Sequence, residues 1–403
     1  MKIRLGAEII FCVMLALAST AKAEEISIKI GVLTDLSGPY SDLSGEGSLL
    51  ATRMAAEDFA AENPGVRVDI VSGDAQNKPD IGSAIAREWY DVKSVDAIVD
   101  VVNSGVALAV SQIAKERNKV LLATGPATSE LTGVSCSPNT IQWTYDTYAL
   151  SRGTGGALTR TGGDTWFFIT ADYAFGHALE RDTSNVVETS GGKVLGRVRV
   201  PVNTADFASY LMQAQSSGAK VVGLANAGAD TINAIKQASE FGLTHSKIRL
   251  AGMLIALSDV HSLGTNLAQG LVITQAFYWD LNDSTRAWSR RFGERRSGQM
   301  PGQVHAGAYS ATLHYLKAVS ALKSKADGAS VVAKMKALAT NDPLFGKGWV
   351  RVDGRKMHDM YLFEVKKPSE SKAEWDLLKL LSTIPADDAF RPLDNNGCHL
   401  VKN

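Results

Sequence analysis

The stretches IKIGVL at residues 28–33 and AIVDVV at residues 97–102 decide the predicted fold. Both are short, rich in β-branched residues and apolar on both faces. Strands of this kind are typical of a parallel sheet that helices cover on both sides. The elements that alternate with them are predicted helices at 48–62, 80–93 and 106–118 and predicted strands at 66–71 and 119–122. This alternation predicts a doubly wound α/β domain.

The same alternation begins again in the second half of the chain. Strands are predicted at 166–170, 193–200, 220–224 and 271–274, and helices at 175–189, 205–217 and 231–241. A second α/β unit is therefore expected, joined to the first through a crossover at 142–148. Later elements divide between the units: helices at 284–298 and 305–323 return to the first, and strands at 349–352 and 361–365 return to the second.

Two Rossmann-like lobes joined by a hinge follow from these crossings. The first lobe is predicted at 24–143 plus 280–347, and the second at 144–279 plus 348–403. A chain that crosses several times between lobes makes a hinge, and a hinge implies a cleft that can close.

The first residues predict export. Lys2 and Arg4 precede an apolar run at 9–18, and the segment ends in Ala21-Lys22-Ala23, a small-x-small pattern that signal peptidase accepts. We predict a signal peptide at 1–23, cleaved after Ala23, and a periplasmic mature protein. No later stretch offers the roughly 18 consecutive apolar residues of a membrane span, so we expect the protein to be released.

Composition limits the classes of partner. The chain carries 42 basic and 42 acidic residues, and removal of the leader leaves a slight acidic excess, which argues against nucleic acid. With Cys12 in the leader, Cys136 and Cys398 remain, and in an exported protein they predict one disulfide; two free thiols are the alternative. The seven histidines include no pair at i, i+4, so neither a metal site nor a cofactor is predicted.

Catalytic motifs are missing from the sequence. The glycine pairs Gly45/Gly47 and Gly153/Gly155 are followed by leucine where a dinucleotide loop needs its third glycine. No nucleophile elbow, phosphate loop or zinc-protease helix occurs. We therefore predict a binding protein and no catalytic residues.

Loops that follow the strands of the first lobe are candidates for ligand contacts, since ligands of open α/β sheets bind beyond the carboxyl ends of the strands. The first loop presents Tyr40. The next two carry Asn103 and Ser104, and the run Pro126-Ala127-Thr128-Ser129, which offer hydroxyls and free N–H groups suited to a carboxylate. Plain helix capping by Ser104 and Ser129 is the alternative.

The second lobe adds candidates of a different kind. Tyr173 and Phe175 follow one strand and would form an apolar wall, and Asn226 follows another and would add a polar contact. Packing of either ring between helix and sheet is the alternative.

These loops resemble those of the branched-chain amino-acid type of periplasmic binding protein. The likeness rests on IGVLTDLSGP at 30–39, ATGPATSELT at 123–132, DYAFG at 172–176 and the helix at 231–242. It implies a type I periplasmic binding protein fold, a monomer, and an ABC permease and ATPase as partners. It also implies ligand contacts near Ser104, at Pro126 or Ala127, and at Thr128, Phe175, Asn226 and Ala227.

One position departs from the resembled family. The family's acid that pairs with an amino acid's ammonium falls near Leu254, where no carboxylate stands. We therefore predict a carboxylate ligand without an α-amine, aromatic or otherwise apolar, with Tyr40, Tyr173, Phe175, Tyr278 and Trp279 as candidate ring contacts and His305 as a candidate partner for a ring hydroxyl. The alternatives are an amino acid, whose ammonium Asp230 would meet, and a ligand-sensing lobe of a regulatory system.

Overall fold

Two parallel sheets dominate the structure, a computed structural model that describes residues 26–243, 247–395 and 397–402. The predicted signal peptide lies outside these residues. The strands, in chain order, are β1 (Ile26–Thr34), β2 (Val66–Asp74), β3 (Ala97–Asp100), β4 (Val120–Ala123), β5 (Thr140–Gln142), β6 (Thr165–Ala171), β7 (Lys193–Val200), β8 (Val221–Ala225), β9 (Arg249–Gly252), β10 (Val272–Gln275), β11 (Thr340–Asp342), β12 (Gly346–Val350), β13 (Lys356–Met357), β14 (Met360–Val365) and β15 (Leu378–Ile384).

Helices precede or follow most of these strands. In chain order they are α1 (Gly45–Glu62), α2 (Pro79–Asp91), α3 (Ser104–Glu116), α4 (Thr147–Leu150), α5 (Gly156–Arg160), α6 (Ala174–Thr189), α7 (Ala208–Ser216), α8 (Ala229–Glu240), α9 (Leu257–Leu263), α10 (Thr265–Ala268), α11 (Asp283–Glu294), α12 (Gln303–Leu322), α13 (Gly328–Ala337) and α14 (Ala386–Ala389). A π-helical segment, Ser151–Gly155, joins α4 to α5. None of the described helices is long and apolar enough to cross a membrane.

The first sheet has the strand order β2-β1-β3-β4-β5, all parallel, which is a doubly wound order. Strands β3, β4 and β5 and most of β1 are buried on both faces, as predicted, whereas the edge strand β2 is only partly buried. Ile30 of β1 packs in a hydrophobic cluster with Met54 of α1, whereas Leu33 of the same strand packs with Trp89 of α2 on the opposite face. Each fully buried aliphatic side chain of this kind stabilises the fold by about 1.5–3 kcal/mol.

The second sheet repeats the pattern with the order β7-β6-β8-β9, again parallel. Strand β9 was missing from the sequence prediction, and it delivers the chain to Met253 and Leu254 at the edge of the sheet. The two doubly wound units confirm the predicted fold class.

Two smaller antiparallel sheets differ from expectation. We expected β10 to continue the second parallel sheet, but it pairs antiparallel with β14, because Ile273 shares a hydrophobic cluster with Phe363 and Val365. Strand β12, expected with the second lobe, pairs with β11 and β13, and Arg355 beside β13 bridges Gln142 of the first sheet. The boundaries of the lobes stay a prediction.

Contacts between distant parts of the chain complete the architecture. Helix α12 packs along α1, and Arg291 and Arg295 of the preceding segment form ion pairs with Asp58 and Glu57 of α1. The disulfide joins Cys136 to Cys398, with Cα atoms 5.6 Å apart, as the sequence predicted.

Candidate functional site

A small pocket lies where the carboxyl ends of the two parallel sheets face each other. We call it the ring pocket and define it by its lining residues: Tyr40, Leu43, Val102, Gly125, Ala127, Tyr173, Phe175, Ala227 and Leu254. These follow strands β1, β3, β4, β6, β8 and β9. No lining side chain is charged. The space left between these side chains is small. The centre of a water-sized sphere can move within only about 10 Å³, so the pocket has room for roughly one water molecule.

Two tyrosines close this pocket from opposite lobes. The hydroxyl oxygens of Tyr40 and Tyr173 lie 2.7 Å apart and share a hydrogen bond. Burial raises the pKa of both phenols well above their ordinary value, so both are neutral at physiological pH. Phe175 packs against Tyr173 with ring centroids 5.8 Å apart. The wall is therefore apolar along its rings and polar where the two hydroxyls meet.

The loop that presents Tyr40 is held by a buried acid, Asp35. Its carboxylate accepts hydrogen bonds from the N–H groups of Gly38 and Tyr40 and from the side-chain amide of Asn77. Burial raises the pKa of Asp35 despite these bonds. Sequence analysis placed Tyr40 correctly in the loop but did not identify the carboxylate that shapes it.

The predicted carboxylate cradle of the first lobe has a more specific geometry than expected. The side chain of Asn103, not Ser104, caps α3, by accepting from the N–H of Val106 at 3.0 Å. The Ser104 hydroxyl instead accepts from the N–H of Thr128 at 3.2 Å. Thr128, not Ser129, is the residue whose side chain caps the next helical turn. Within the described residues, the N–H groups of Ser104 and Ala127 make no hydrogen bond. Ala127 lines the ring pocket, and Ser104 comes two residues after the lining residue Val102.

The second lobe contributes Asn226 and Asp230 at the start of α8. Asn226 accepts from the Thr231 hydroxyl at 2.6 Å, while its buried amide nitrogen has no partner among the described residues. Asp230 accepts from the N–H of Asn203 through one oxygen, and its other oxygen has no described partner. Burial raises the pKa of Asp230 to about 6.

The position of Leu254 is apolar and buried, in the wall of the ring pocket. Sequence analysis missed an acid five residues further on. Asp259 is buried in the first turn of α9 and accepts from the N–H of Ala256 at 2.8 Å. Burial raises the pKa of Asp259 to about 7, and its charge acts on the phenols of Tyr40 and Tyr145.

Asp100, at the end of β3, is the second acid that sequence analysis missed. Its side chain is fully buried, and neither carboxylate oxygen makes a hydrogen bond with a described residue. Burial raises its pKa to about 7. The hydroxyls of Thr34 and Ser48 are near enough to lower the pKa in part, but the Thr34 hydroxyl donates to Ser44 and neither hydroxyl has the geometry of a hydrogen bond to Asp100. Asp100 and Val101 have φ of 82° and 59°, a left-handed backbone that is unusual for a β-branched residue and typical of functional sites. An acid inside the apolar stretch AIVDVV was the available signal.

Eight predicted site residues do not line the ring pocket. Asn103, Ser104, Thr128 and Asn226 are described above, and the other four are Pro126, Tyr278, Trp279 and His305. Tyr278 accepts from the N–H groups of Leu377 and Leu378 and donates to the carbonyl of Trp375, so it holds the chain before β15. Trp279 donates to the same carbonyl. The Pro126 carbonyl accepts from the Gln142 amide.

His305, the fourth, lies on a neighbouring cavity, which is described below. It accepts from the N–H of Gly302 at the start of α12 and stacks on Phe292. Burial lowers its pKa to about 4, so it is neutral.

A hydrogen-bonded hub lies beside the cradle, where Ser129 meets α6. The buried carboxylate of Asp182 accepts from the hydroxyls of Ser129 and Thr147 at 2.7 and 2.6 Å. It also accepts from the guanidinium groups of Arg181 and Arg391 at 3.1 and 2.9 Å. We call these five side chains the Asp182 hub. It ties the first lobe, the crossover, the second lobe and the C-terminal tail together.

The described residues offer no cluster of side chains for a metal ion. Within the described ranges, no three histidine, cysteine, aspartate or glutamate side chains lie close enough together to hold a metal ion.

The chain is similar in sequence and in fold to known proteins. Residues 27–372 match the family model described as periplasmic binding protein. A solved periplasmic binding protein from Burkholderia mallei is 47% identical, with a TM-score of 0.91, over 93% of this chain and 99% of that chain. The Leu/Ile/Val-binding protein homolog 6 of Brucella melitensis is 27% identical over 88% of this chain and 91% of its own length.

A solute-binding protein of an ABC transporter from R. palustris, solved in complex with benzoate, shares the fold. Its TM-score is 0.81 over 93% of this chain and 99% of that chain, and at 20% identity the likeness is one of fold alone. The matched family consists of exported solute-binding proteins rather than enzymes. This chain belongs to it, as a type I periplasmic binding protein of ABC transporters.

Proposed function

We propose that this protein captures a small organic acid, aromatic or otherwise apolar and without an α-amine, in the cleft between its lobes and delivers it to an ABC permease. The observation that carries this proposal is the ring pocket. It combines the rings of Tyr40, Tyr173 and Phe175 with Leu254, and none of its lining side chains is charged.

The carboxylate of such a ligand would bind at the cradle of the first lobe. The N–H groups of Ser104 and Ala127 have no acceptor among the described residues, and Ser104 begins α3, whose dipole favours an anion at this end. The hydroxyls of Tyr40 and Tyr173 supply two further donors once their mutual hydrogen bond is exchanged for bonds to ligand. Neutral donors in a buried site hold a carboxylate without a counter-cation.

An α-ammonium would find no partner at Leu254. A cation enclosed without a counter-charge costs several kcal/mol, more than the apolar contacts of a small side chain return. The ring or apolar body of the ligand would instead occupy the space between the aromatic side chains, where burial of apolar area stabilises it by about 25 cal/mol per Å².

Binding requires the lobes to separate and close again. The ring pocket has room for roughly one water molecule, so a ring can enter only when Tyr40 and Tyr173 part. Closure around the ligand then buries it and brings together the surfaces of the two lobes for the permease.

An amino acid is the second candidate. Asp230 and Asp259 are buried near the phenols of the pocket, and Asp230 has a carboxylate oxygen without a described partner. An ammonium next to either acid would be stabilised by its charge. The Leu/Ile/Val-binding relative from Brucella melitensis is consistent with this alternative.

A thermal-shift panel on the wild type and on Leu254→Glu tests the proposal. Ligand at about 100 times its Kd stabilises a binding protein by roughly 2.7 kcal/mol, which moves the melting temperature by several degrees. We expect benzoate-like and branched aliphatic acids to stabilise the wild type and leucine to leave its melting temperature unchanged. Leu254→Glu should reverse that preference, because the new carboxylate repels an acid and pairs with an ammonium.

Leu254→Gln is the matched control, since it has nearly the same shape without the charge. It should weaken all ligands without reversing the order. Stabilisation of the wild type by leucine, with none by the acids, would show that the second candidate is correct.

A further inference from the structure

A second cavity, of about 260 Å³, adjoins the ring pocket, and we call it the outer chamber. Its walls come from both lobes: Asp42, Leu43 and Arg296 on one side, and His261, Glu374 and Trp375 on the other. Leu43 lines both cavities, so the two are neighbours.

Arg296 distinguishes the outer chamber from the ring pocket. Its neighbours Arg291 and Arg295 each make a two-fold hydrogen-bonded ion pair, with Asp58 and Glu57. Arg296 lies within salt-bridge distance of no described carboxylate. Its guanidinium donates to the side chain of Gln299 at 3.0 Å and to no other residue in the part of the chain that the structure describes. A guanidinium in a half-enclosed cavity with free donors is the side chain best suited to a carboxylate.

The opposite wall is flat and already paired. The rings of His261 and Trp375 stack with centroids 4.0 Å apart and an interplanar angle of 6°. Nε2 of His261 lies 3.0 Å from the carboxylate of Glu374. Glu374 is therefore engaged, and Asp42, the remaining acid of the chamber, is exposed to solvent, which screens its charge.

We propose that the outer chamber binds the far end of an elongated ligand, and that this end is a second carboxylate held by Arg296. The ligand class is then a dicarboxylate with an aromatic or apolar body: one carboxylate lies on the cradle of the first lobe, the body lies in the ring pocket, and the second carboxylate lies on Arg296. The assignment of the inner end rests on the proposed function.

Calorimetry with two pairs of ligands tests this inference. The first pair is benzoate and 4-(2-carboxyethyl)benzoate, and the second is phenylalanine and 4-carboxyphenylalanine. Within the pair that binds, the wild type should hold the ligand with the additional carboxylate at least ten-fold more tightly. Arg296→Gln should abolish this difference and leave the affinity for the shorter ligand unchanged.

Arg290→Gln is the control, since Arg290 is an exposed residue of α11, the helix that precedes Arg296, and lies outside the chamber. It should preserve the preference for the longer ligand. If only the amino-acid pair binds, the proposed function is wrong, but the effect of Arg296→Gln on that pair still decides the present inference. Equal affinity for the two members of the binding pair, an Arg296→Gln variant that weakens both equally, or binding of none of the four ligands would overturn it.

Discussion

Two buried aspartates, Asp182 in the hub and Asp100 at the end of β3, differ in the hydrogen bonds that their carboxylates accept. Asp182 accepts hydrogen bonds from two hydroxyls and two guanidinium groups, whereas neither oxygen of Asp100 has a partner among the described residues. A buried carboxylate is tolerated when it is paired and costs stability when it is not. We therefore expect Asp182 to stabilise the folded state and Asp100, with its left-handed backbone, to destabilise it.

Removal of Asp182 should produce the largest effect. Asp182→Ala leaves Arg391 and two hydroxyls without their acceptor in a buried site, and we expect it to lower the free energy of unfolding by about 3–5 kcal/mol. Urea denaturation followed by circular dichroism measures this loss. Glu188→Ala, on the exposed side of the same helix, should change stability by less than about 0.5 kcal/mol. A loss for Asp182→Ala no larger than that would show that the hub is not structural.

Asp100 should respond in the opposite direction. Its folded-state pKa of about 7 lies above its ordinary 3.8, so the folded state binds the proton more tightly than the unfolded state does. Its contribution to stability is complete below about pH 4 and is lost as the pH rises through 7. Asp100→Asn should therefore stabilise the protein, by about 2 kcal/mol more at pH 8 than at pH 5.

Urea denaturation at the two pH values checks the Asp100 prediction, with the exposed Glu46→Gln as control. A gain that is the same at pH 5 and pH 8 would mean that Asp100 does not titrate in this range, and the contrast with Asp182 would lose its electrostatic basis.

A substitution at Gly228 should disturb closure of the cleft while leaving Asp182 and Asp100 unchanged. Gly228, at the start of α8, has φ of 58°, and a Cβ added there would lie 2.4 Å from the Pro39 carbonyl oxygen of the other lobe. Gly228→Ala should hold the lobes apart and weaken ligand binding about ten-fold, or roughly 1.4 kcal/mol. Small-angle scattering with saturating ligand should show a larger radius of gyration than in the wild type.

Gly242→Ala is the matched control, because Gly242 has a similar φ of 72° but nothing within 4 Å of an added Cβ. It introduces the backbone strain without the contact between lobes. Equal loss of affinity in both variants would attribute the effect to strain rather than to closure.

The smallest effect is expected from the two phenols. Tyr173→Phe removes the hydrogen bond to Tyr40 and one donor for the ligand, and we expect affinity to fall by about 0.5–1.5 kcal/mol with folding stability nearly unchanged. Calorimetric titration measures it, and Tyr210→Phe, on a helix away from the pocket, should have no effect. An unchanged affinity would place the ligand's polar group away from the tyrosines.

The sequence predicts most of the fold because its strands are apolar on both faces. Stretches such as IKIGVL can be satisfied only by a sheet that is covered twice, and that pattern is local. The pairing of β10 with β14 was not predictable in this way, since residues 276–359 separate the two strands and the return of the chain depends on side chains such as Phe363. Short strands such as β9 are also too brief to show a period.

The candidate site was predictable where it depends on the order of strands and loops. Tyr40, Ala127, Tyr173, Phe175 and Leu254 follow strands whose carboxyl ends share one edge, and they line one pocket. Tyr278 and His305 show the limit of this reasoning, because the sequence does not reveal which way a ring turns. Asp100 and Asp259 were missed because their burial arises from neighbours that are distant in sequence.

The disulfide between Cys136 and Cys398 has a consequence for the order of events after export. Every described strand precedes Cys398 in the chain, and the bond closes a loop over a sequence separation of 262 residues. In a chain that crosses the inner membrane from its N-terminus, Cys136 reaches the oxidising compartment before Cys398. Its partner arrives only after both sheets have emerged. The disulfide can therefore form only after the second lobe has been translocated. An oxidase of the periplasm forms it in a chain that already carries both halves of its cleft.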